Sequence, residues 1–497
     1  MITRRSLIAA AAALPVAAHA QPAAPVAPTR YGPVRGYVDQ GVSVFKGVRY
    51  GVAQRFRAPQ PPPAWTGVAD ATRYGPAAPQ RGAEANQSED CLVLNVWTPG
   101  LDRGRRPVMV YIHGGAYSNG SGSSPLYDGV RLCRRGDVVV VTLNHRLNAF
   151  GYAYLAPLLP ELADSGNAGQ LDLVLALNWV RDNIAAFGGD PTKVMVFGQS
   201  GGGAKIATLM ATPAAAGLFH RAATMSGQQV TASGPNNARR RSLTWLDALK
   251  LKPDQAREVL TLPVERLLEA QAIEDPVLGF GGLYFGPVLD ERSLTRHPFY
   301  PDAPAQSAKI PMIIGNTFDE TRAFIRAEPG LTWDDLPKRL TFANLRVDVK
   351  PEAVVAEYRR LYPRYSPEEI LFAATTAGRS WRAAIIEAEE RAKAGTPAWV
   401  HQLGSGGAFK APHTADIPLV FDNAQPDQQA LADLMSEAFL AFARSGDPNH
   451  RGLPRWTPYT LPRRRTLIFD FPPRLADDPR GAERQFFGKV PYVQPGT

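Results

Sequence analysis

Cysteine is scarce in this sequence, with two among 497 residues. A chain so poor in it is not a disulfide-stapled scaffold, and without a CxxC pair it holds no zinc site of the usual spacing. Cys91 and Cys133 are expected to be two buried free thiols, with one Cys91–Cys133 disulfide as the alternative. Long hydrophobic runs are missing too. The apolar stretch Leu7 to Ala18 is about a dozen residues, short of the ~20 that a membrane-spanning helix needs, and no later stretch comes nearer. No fixed-period repeat and no low-complexity tract follow, which excludes solenoids and propellers. Basic runs occur at Arg239-Arg240-Arg241 and Arg463-Arg464-Arg465. They lack zinc-finger spacing and interleaved aromatics, so they read as solvated surface and imply no nucleic-acid partner.

What is present is globular composition, 44% hydrophobic and 20% charged, with a net charge of +9. The first 20 residues read as an export signal: Arg4 and Arg5, then the apolar stretch, then Ala18-His19-Ala20 as a small-x-small cleavage site before Gln21. Thr3-Arg4-Arg5-Ser6-Leu7-Ile8 suits twin-arginine export of folded protein, and a general secretory signal is the alternative. Cleavage removes two arginines and no acids, taking the charge from +9 to +7. The mature protein is therefore expected to be periplasmic or secreted, with no membrane span.

Continuous apolar runs separated by helical patterns follow. Val93 to Trp97, Val108 to Ile112, Val138 to Leu143, Val194 to Phe197, Ala222 to Met225 and Lys309 to Ile314 read as strands. Leu171 to Phe187 carries a helical period. Apolar runs without alternation are strands buried on both faces, so the pattern predicts an α/β fold with a mostly parallel sheet and helices on both faces. Residues 235–300 and 332–394 read as helical insertions that wall the site within a single domain over 21–497.

Gly198-Gln199-Ser200-Gly201-Gly202 is G-x-S-x-G, placed after a buried strand and before the helix-compatible Ala204 to Met210. That strand–turn–helix elbow lifts a serine hydroxyl above the sheet edge as a nucleophile, beside the free N–H groups of the helix. His113-Gly114-Gly115-Ala116 follows another strand. Glycine lets backbone N–H groups approach a developing oxyanion, so the N–H groups of Gly114, Gly115 and Gly201 are the candidate hole. His113 is expected to fix that loop.

A serine nucleophile in this arrangement is followed along the chain by an acid and then a histidine. Gly315-Asn316-Thr317-Phe318-Asp319-Glu320 ends a strand, and either Asp319 or Glu320 could orient the imidazole. Beyond it, His401 sits in an apolar strand and His450 in a polar turn. His413 lies in a loop before Asp416-Ile417-Pro418 and is the candidate base.

Taken together these residues resemble the type B carboxylesterases, the family that includes the cholinesterases. The likeness spans nearly the whole mature chain. Ser88-Glu89-Asp90-Cys91-Leu92-Val93-Leu94-Asn95-Val96, Phe187-Gly188-Gly189-Asp190-Pro191 and Gly446-Asp447-Pro448-Asn449 carry it beside the elbow. The resemblance implies the α/β-hydrolase fold, Glu320 as the acid and His413 as the base. It also implies Ser226 as a supporting serine and hydrolysis of a small-molecule ester through an acyl-enzyme, with no metal or cofactor. Amide, lactone or carbamate hydrolysis is the near alternative. A non-catalytic adhesion protein is the remote one, disfavoured by the intact serine.

Departures from the family pattern are informative. Gln199 replaces the usual glutamate beside the serine. Ala78 stands where a partner for Cys91 would be. The loop between Gln80 and Ser88 has no aromatic ring to hold a cationic substrate, so choline esters are not expected. Gly201-Gly202-Gly203 replaces an Ala-Gly pattern and suggests added backbone freedom at the elbow.

Overall fold

The computed structural model describes residues 24–82, 84–404 and 410–494. The expected export segment 1–20 and Gly407 to Phe409 of the His413 loop lie outside the described residues. Val26–Thr29 (β1), Gly32–Arg35 (β2) and Ala69–Asp70 (β5) form a small sheet. Eleven strands form the main one: Tyr37–Asp39 (β3), Val42–Arg49 (β4), Val93–Thr98 (β6), Arg106–Ile112 (β7), Val139–Leu143 (β8), Gly189–Gln199 (β9), Arg221–Met225 (β10), Met312–Thr317 (β11), Ala398–Leu403 (β12), Arg465–Phe469 (β13) and Arg474–Asp477 (β14). Their order is β14-β13-β12-β11-β10-β9-β7-β8-β6-β4-β3. From β8 through β13 all neighbours are parallel, and the strands at both ends pair antiparallel.

Both faces of this sheet are covered, which is why its strands read as unbroken apolar runs. Along β7, Val108, Val110 and Ile112 pack into one core, and Met109 and Tyr111 into the other. The helix Ala168–Asn183 belongs to the first layer and Gln429–Ser445 to the second. Cys91 sits in the first core and Cys133 in the second, on opposite sides of the sheet, and both are free thiols.

Two expectations shift. The strand placed at Lys309–Ile314 begins instead at Met312 and runs to Thr317. Ile310 is held in a turn by a 3.0 Å bond from its N–H to the Ser307 carbonyl, and Pro311 has no N–H to give a ladder. Residues 235–300 are helical only to Ala272, through Pro235–Ala248, Pro253–Leu260, Val264–Glu269 and Ala270–Ala272. Beyond that, Pro276, Pro287 and Pro298 deny helix hydrogen bonds, and Gly279 and Gly281 take φ of +72° and +70°. The stretch 332–394 is helical, and a π-helical turn, Ala377–Trp381, leads into Arg382–Lys393.

Candidate active site

The β9 strand ends at Gln199 and the helix Gly201–Leu209 begins two residues on, so Ser200 alone makes the turn. It does so at φ 55°, ψ −128°, a conformation that a side chain adopts only when its surroundings enforce it. The surroundings are close-packed backbone. A Cβ on Gly201 would lie 2.1 Å from the Ala116 carbonyl oxygen. The glycine triplet therefore adds no looseness at the elbow: helix hydrogen bonding and contact with the neighbouring loop fix it, and alanine at 201 has no room.

Four chain segments converge on a cavity of about 160 Å³. Ser200 and Gly201 come from the elbow, Ser226 from the end of β10, Glu320 from beyond β11, and His413 from the loop after β12. Carboxyl ends of parallel strands are where an α/β sheet gathers such residues. His413 Nδ1 donates to Glu320 Oε2 at 2.5 Å. The other carboxylate oxygen of Glu320 accepts the Thr317 N–H at 2.9 Å. Glu320 is 1% exposed. Burial pushes its carboxyl up, but the facing imidazole, the Ser226 hydroxyl and the Thr317 N–H outweigh this and hold it below the ordinary glutamate range. It is thus a fixed anion against one ring nitrogen.

The other ring nitrogen faces Gln199, whose Nε2 lies 3.2 Å from His413 Nε2. With Nδ1 protonated, Nε2 carries the lone pair, and the amide donates to it. That nitrogen is the one a serine proton would go to. A neutral amide marks it out without adding a second carboxylate beside Glu320.

Of the expected oxyanion donors, Gly201 lines the cavity with Ser200, joined by Ala116. Gly115, at φ +84°, turns the loop; a Cβ there would meet the Asn119 carbonyl at 2.1 Å. Gly114 is buried, its Cα facing the Gln199 carbonyl. Among the described residues, the N–H groups of Gly114, Gly115, Ala116 and Gly201 have no hydrogen-bond acceptor, and of these residues Ala116 and Gly201 line the cavity. Ala116, at φ 52°, was missed in the sequence because only glycines were weighed. Behind the loop, His113 stacks on His145 with centroids 4.9 Å apart, and its carbonyl accepts Lys205 Nζ at 3.1 Å. Lys205 is fully buried in the elbow helix, and burial pushes its ammonium down to about 7. Asp416 is buried beside the dyad with neither oxygen bonded among the described residues. Burial, then the Glu320 charge, push it up to about 7 against the pull of His413.

Neither His401 nor His450 reaches the site. His401 is buried in β12, and His450 bonds the Leu434 carbonyl at 3.0 Å. Asp319 turns away to Arg322, 3.2 Å off. The walls also hold residues that sequence reasoning did not reach: Tyr284 from 235–300, Arg379 from 332–394, Phe324, and Tyr492 near the chain's end. Among the described residues no group of His, Cys, Asp and Glu could hold a metal ion, and no helix is long and apolar enough to cross a membrane.

The profile of the carboxylesterase family matches residues 23–487. The chain belongs to that family. It is 35% identical to the para-nitrobenzyl esterase of Bacillus subtilis (strain 168) over 92% of this chain and 97% of that one. It is 34% identical to the phenmedipham hydrolase of Pseudarthrobacter oxydans over 87% and 92%. A crystal structure of a Geobacillus stearothermophilus carboxylesterase superposes with a TM-score of 0.83 at 37% identity, covering 93% of this chain and 99% of that one. This carboxylesterase accordingly has the α/β-hydrolase fold and is a hydrolase of carboxylic esters.

Proposed function

We propose that Ser200 is the nucleophile, His413 the base and Glu320 the orienting acid of an acyl-enzyme cycle on small to medium esters. The observation that carries this is one cavity lined by all three, with Nδ1 of His413 committed to Glu320. His413 Nε2 takes the Ser200 proton, displacing the Gln199 amide, as Oγ attacks the ester carbonyl. The oxyanion sits against the N–H groups of Gly115, Ala116 and Gly201, with Gly114 packed against the elbow at Gln199 and Ser200. The alcohol leaves with the proton from His413. Water, deprotonated by the same nitrogen, then attacks the acyl-enzyme and releases the acid. Ser226, on the wall of the same cavity, helps to keep Glu320 ionised.

Hydrolysis of p-nitrophenyl acetate, butyrate and octanoate by wild type and Ser200→Ala tests this. Wild-type turnover should fall in the variant by on the order of a millionfold. Equal turnover in both would remove the assignment, and the chain-length series sizes the acyl pocket.

We further propose export with cleavage after Ala20. The support is the basic, apolar and small-x-small order of residues 1–20. N-terminal sequencing of protein recovered outside the cytoplasm should begin at Gln21; recovery only as intact chain from the cytoplasm would sink the proposal.

A further inference from the structure

Arg379 lines the cavity that holds Ser200. Its guanidinium lies over the Phe324 ring, 4.5 Å from the centroid, and that ring is 4.7 Å from the imidazole of His413. Arg346 lines an adjoining cavity of about 470 Å³, which shares the wall residues Ala116, Tyr117 and Tyr284 with the first. Its guanidinium is stacked on Phe280 at 4.6 Å, and its Nε and Nη1 are buried with no hydrogen-bond partner among the described residues. Arg382 stands by Tyr492, 5.8 Å from its ring; one nitrogen is bonded to the Val490 carbonyl and another has no partner among the described residues.

None of the three has a carboxylate within ion-pair distance among the described residues. Arg322, close by in sequence to Phe324, is neutralised by Asp319. The anion that Arg379 does feel is Glu320, which is already committed to His413. Burial is the larger cost to the charge on Arg346, and repulsion from Arg379 adds to it. Half-buried cations that stack on aromatic faces and lack an acid are held ready for a charge from elsewhere. Of the three, Arg379 faces the cavity at Ser200 and Arg346 the cavity beside it.

We infer that Arg379, with Arg346 behind it, is a subsite for an anionic group of the substrate, so that the preferred esters carry a free carboxylate a few carbons from the scissile bond. This rests on the Ser200 hydrolase reading above. The guanidinium fork matches a carboxylate in plane, and its stacking on Phe324 fixes the plane beforehand. The small cavity at Ser200 leaves room for a short spacer only. The carboxylate can belong to the acyl part, as in a half-ester of a dicarboxylic acid, or to the alcohol part.

The test compares kcat/KM for monoethyl and diethyl esters of succinate, glutarate and adipate, and for 4-acetoxybutanoate against butyl acetate. These pairs separate acyl-borne from alcohol-borne charge. The quantity read is the preference for the charged over the neutral member of a pair, in wild type, Arg379→Gln and Arg346→Gln, each checked for fold by circular dichroism. Wild type should prefer the charged ester in at least one pair by about tenfold, and Arg379→Gln should erase that preference, a loss of about 10- to 100-fold for a charge-assisted contact. Arg346→Gln should reduce it less, and added salt should weaken it in wild type. If Arg379→Gln does not fold, Arg346→Gln and the salt series carry the test. Hydrolysis with no preference for charge in any pair overturns the subsite alone. No hydrolysis of any ester by folded wild type overturns the hydrolase reading itself.

Discussion

Asp319 and Glu320 are adjacent in sequence and serve different partners. The chain turns between them, so Asp319 meets Arg322 and Glu320 meets His413. Replacing Glu320 by Gln keeps the shape and removes the acceptor that fixes Nδ1 as the protonated nitrogen. Glu320→Gln should lower kcat by about 10⁴, whereas Asp319→Asn should stay within about tenfold of wild type. Steady-state rates on p-nitrophenyl butyrate rank the two; the reverse order would make Asp319 the supporting acid. The motifs left this choice between neighbours open. Only the family resemblance settled on Glu320, because periodicity says nothing of which side chain a tight turn points inward.

At the scale of elements, the helix Gly201–Leu209 does more than follow the serine. Its Lys205 reaches back to the carbonyl of His113 and braces the oxyanion loop from behind. The ammonium is buried with its acidity raised, titrating near 7 instead of 10.5. Between those values the unfolded chain keeps a proton that the folded chain releases, so this group favours folding increasingly as pH rises from 7 toward 10.5. Lys205→Met should therefore raise Tm by about 2 °C at pH 6.5, with the gain fading by pH 9.5. Thermal melts at the two pH values decide it, and a gain as large at pH 9.5 would contradict the burial argument. The strands of the sheet were legible as apolar runs because both their faces are covered. Two things were not legible. Proline and glycine break residues 273–300, which composition alone had grouped with the preceding helices. Arg379 and Tyr492 line one cavity, and Arg346 the cavity beside it, only because distant segments fold together.

For the whole molecule, the sheet is the partition that decides the cysteines. Residues alternate between its two cores, and Cys91 and Cys133 fall on opposite sides. Burial pushes the Cys133 thiol up to about 12 and Cys91 higher still. A thiol reagent should find neither in the native state and two per chain after denaturation. One thiol reacting natively would mean that a face of the sheet is open, and none reacting after denaturation without reductant would restore the disulfide alternative.

The crowding around Ser200 also sets where variation can be useful. Gly201 sits against the neighbouring loop with no space for a methyl group, while Tyr284, Phe324, Arg346, Arg379 and Tyr492 arrive from separate segments with no part in that turn. A mutant library confined to those five positions would explore selectivity while leaving the reaction centre intact, and a library aimed at the elbow would mostly return inactive clones.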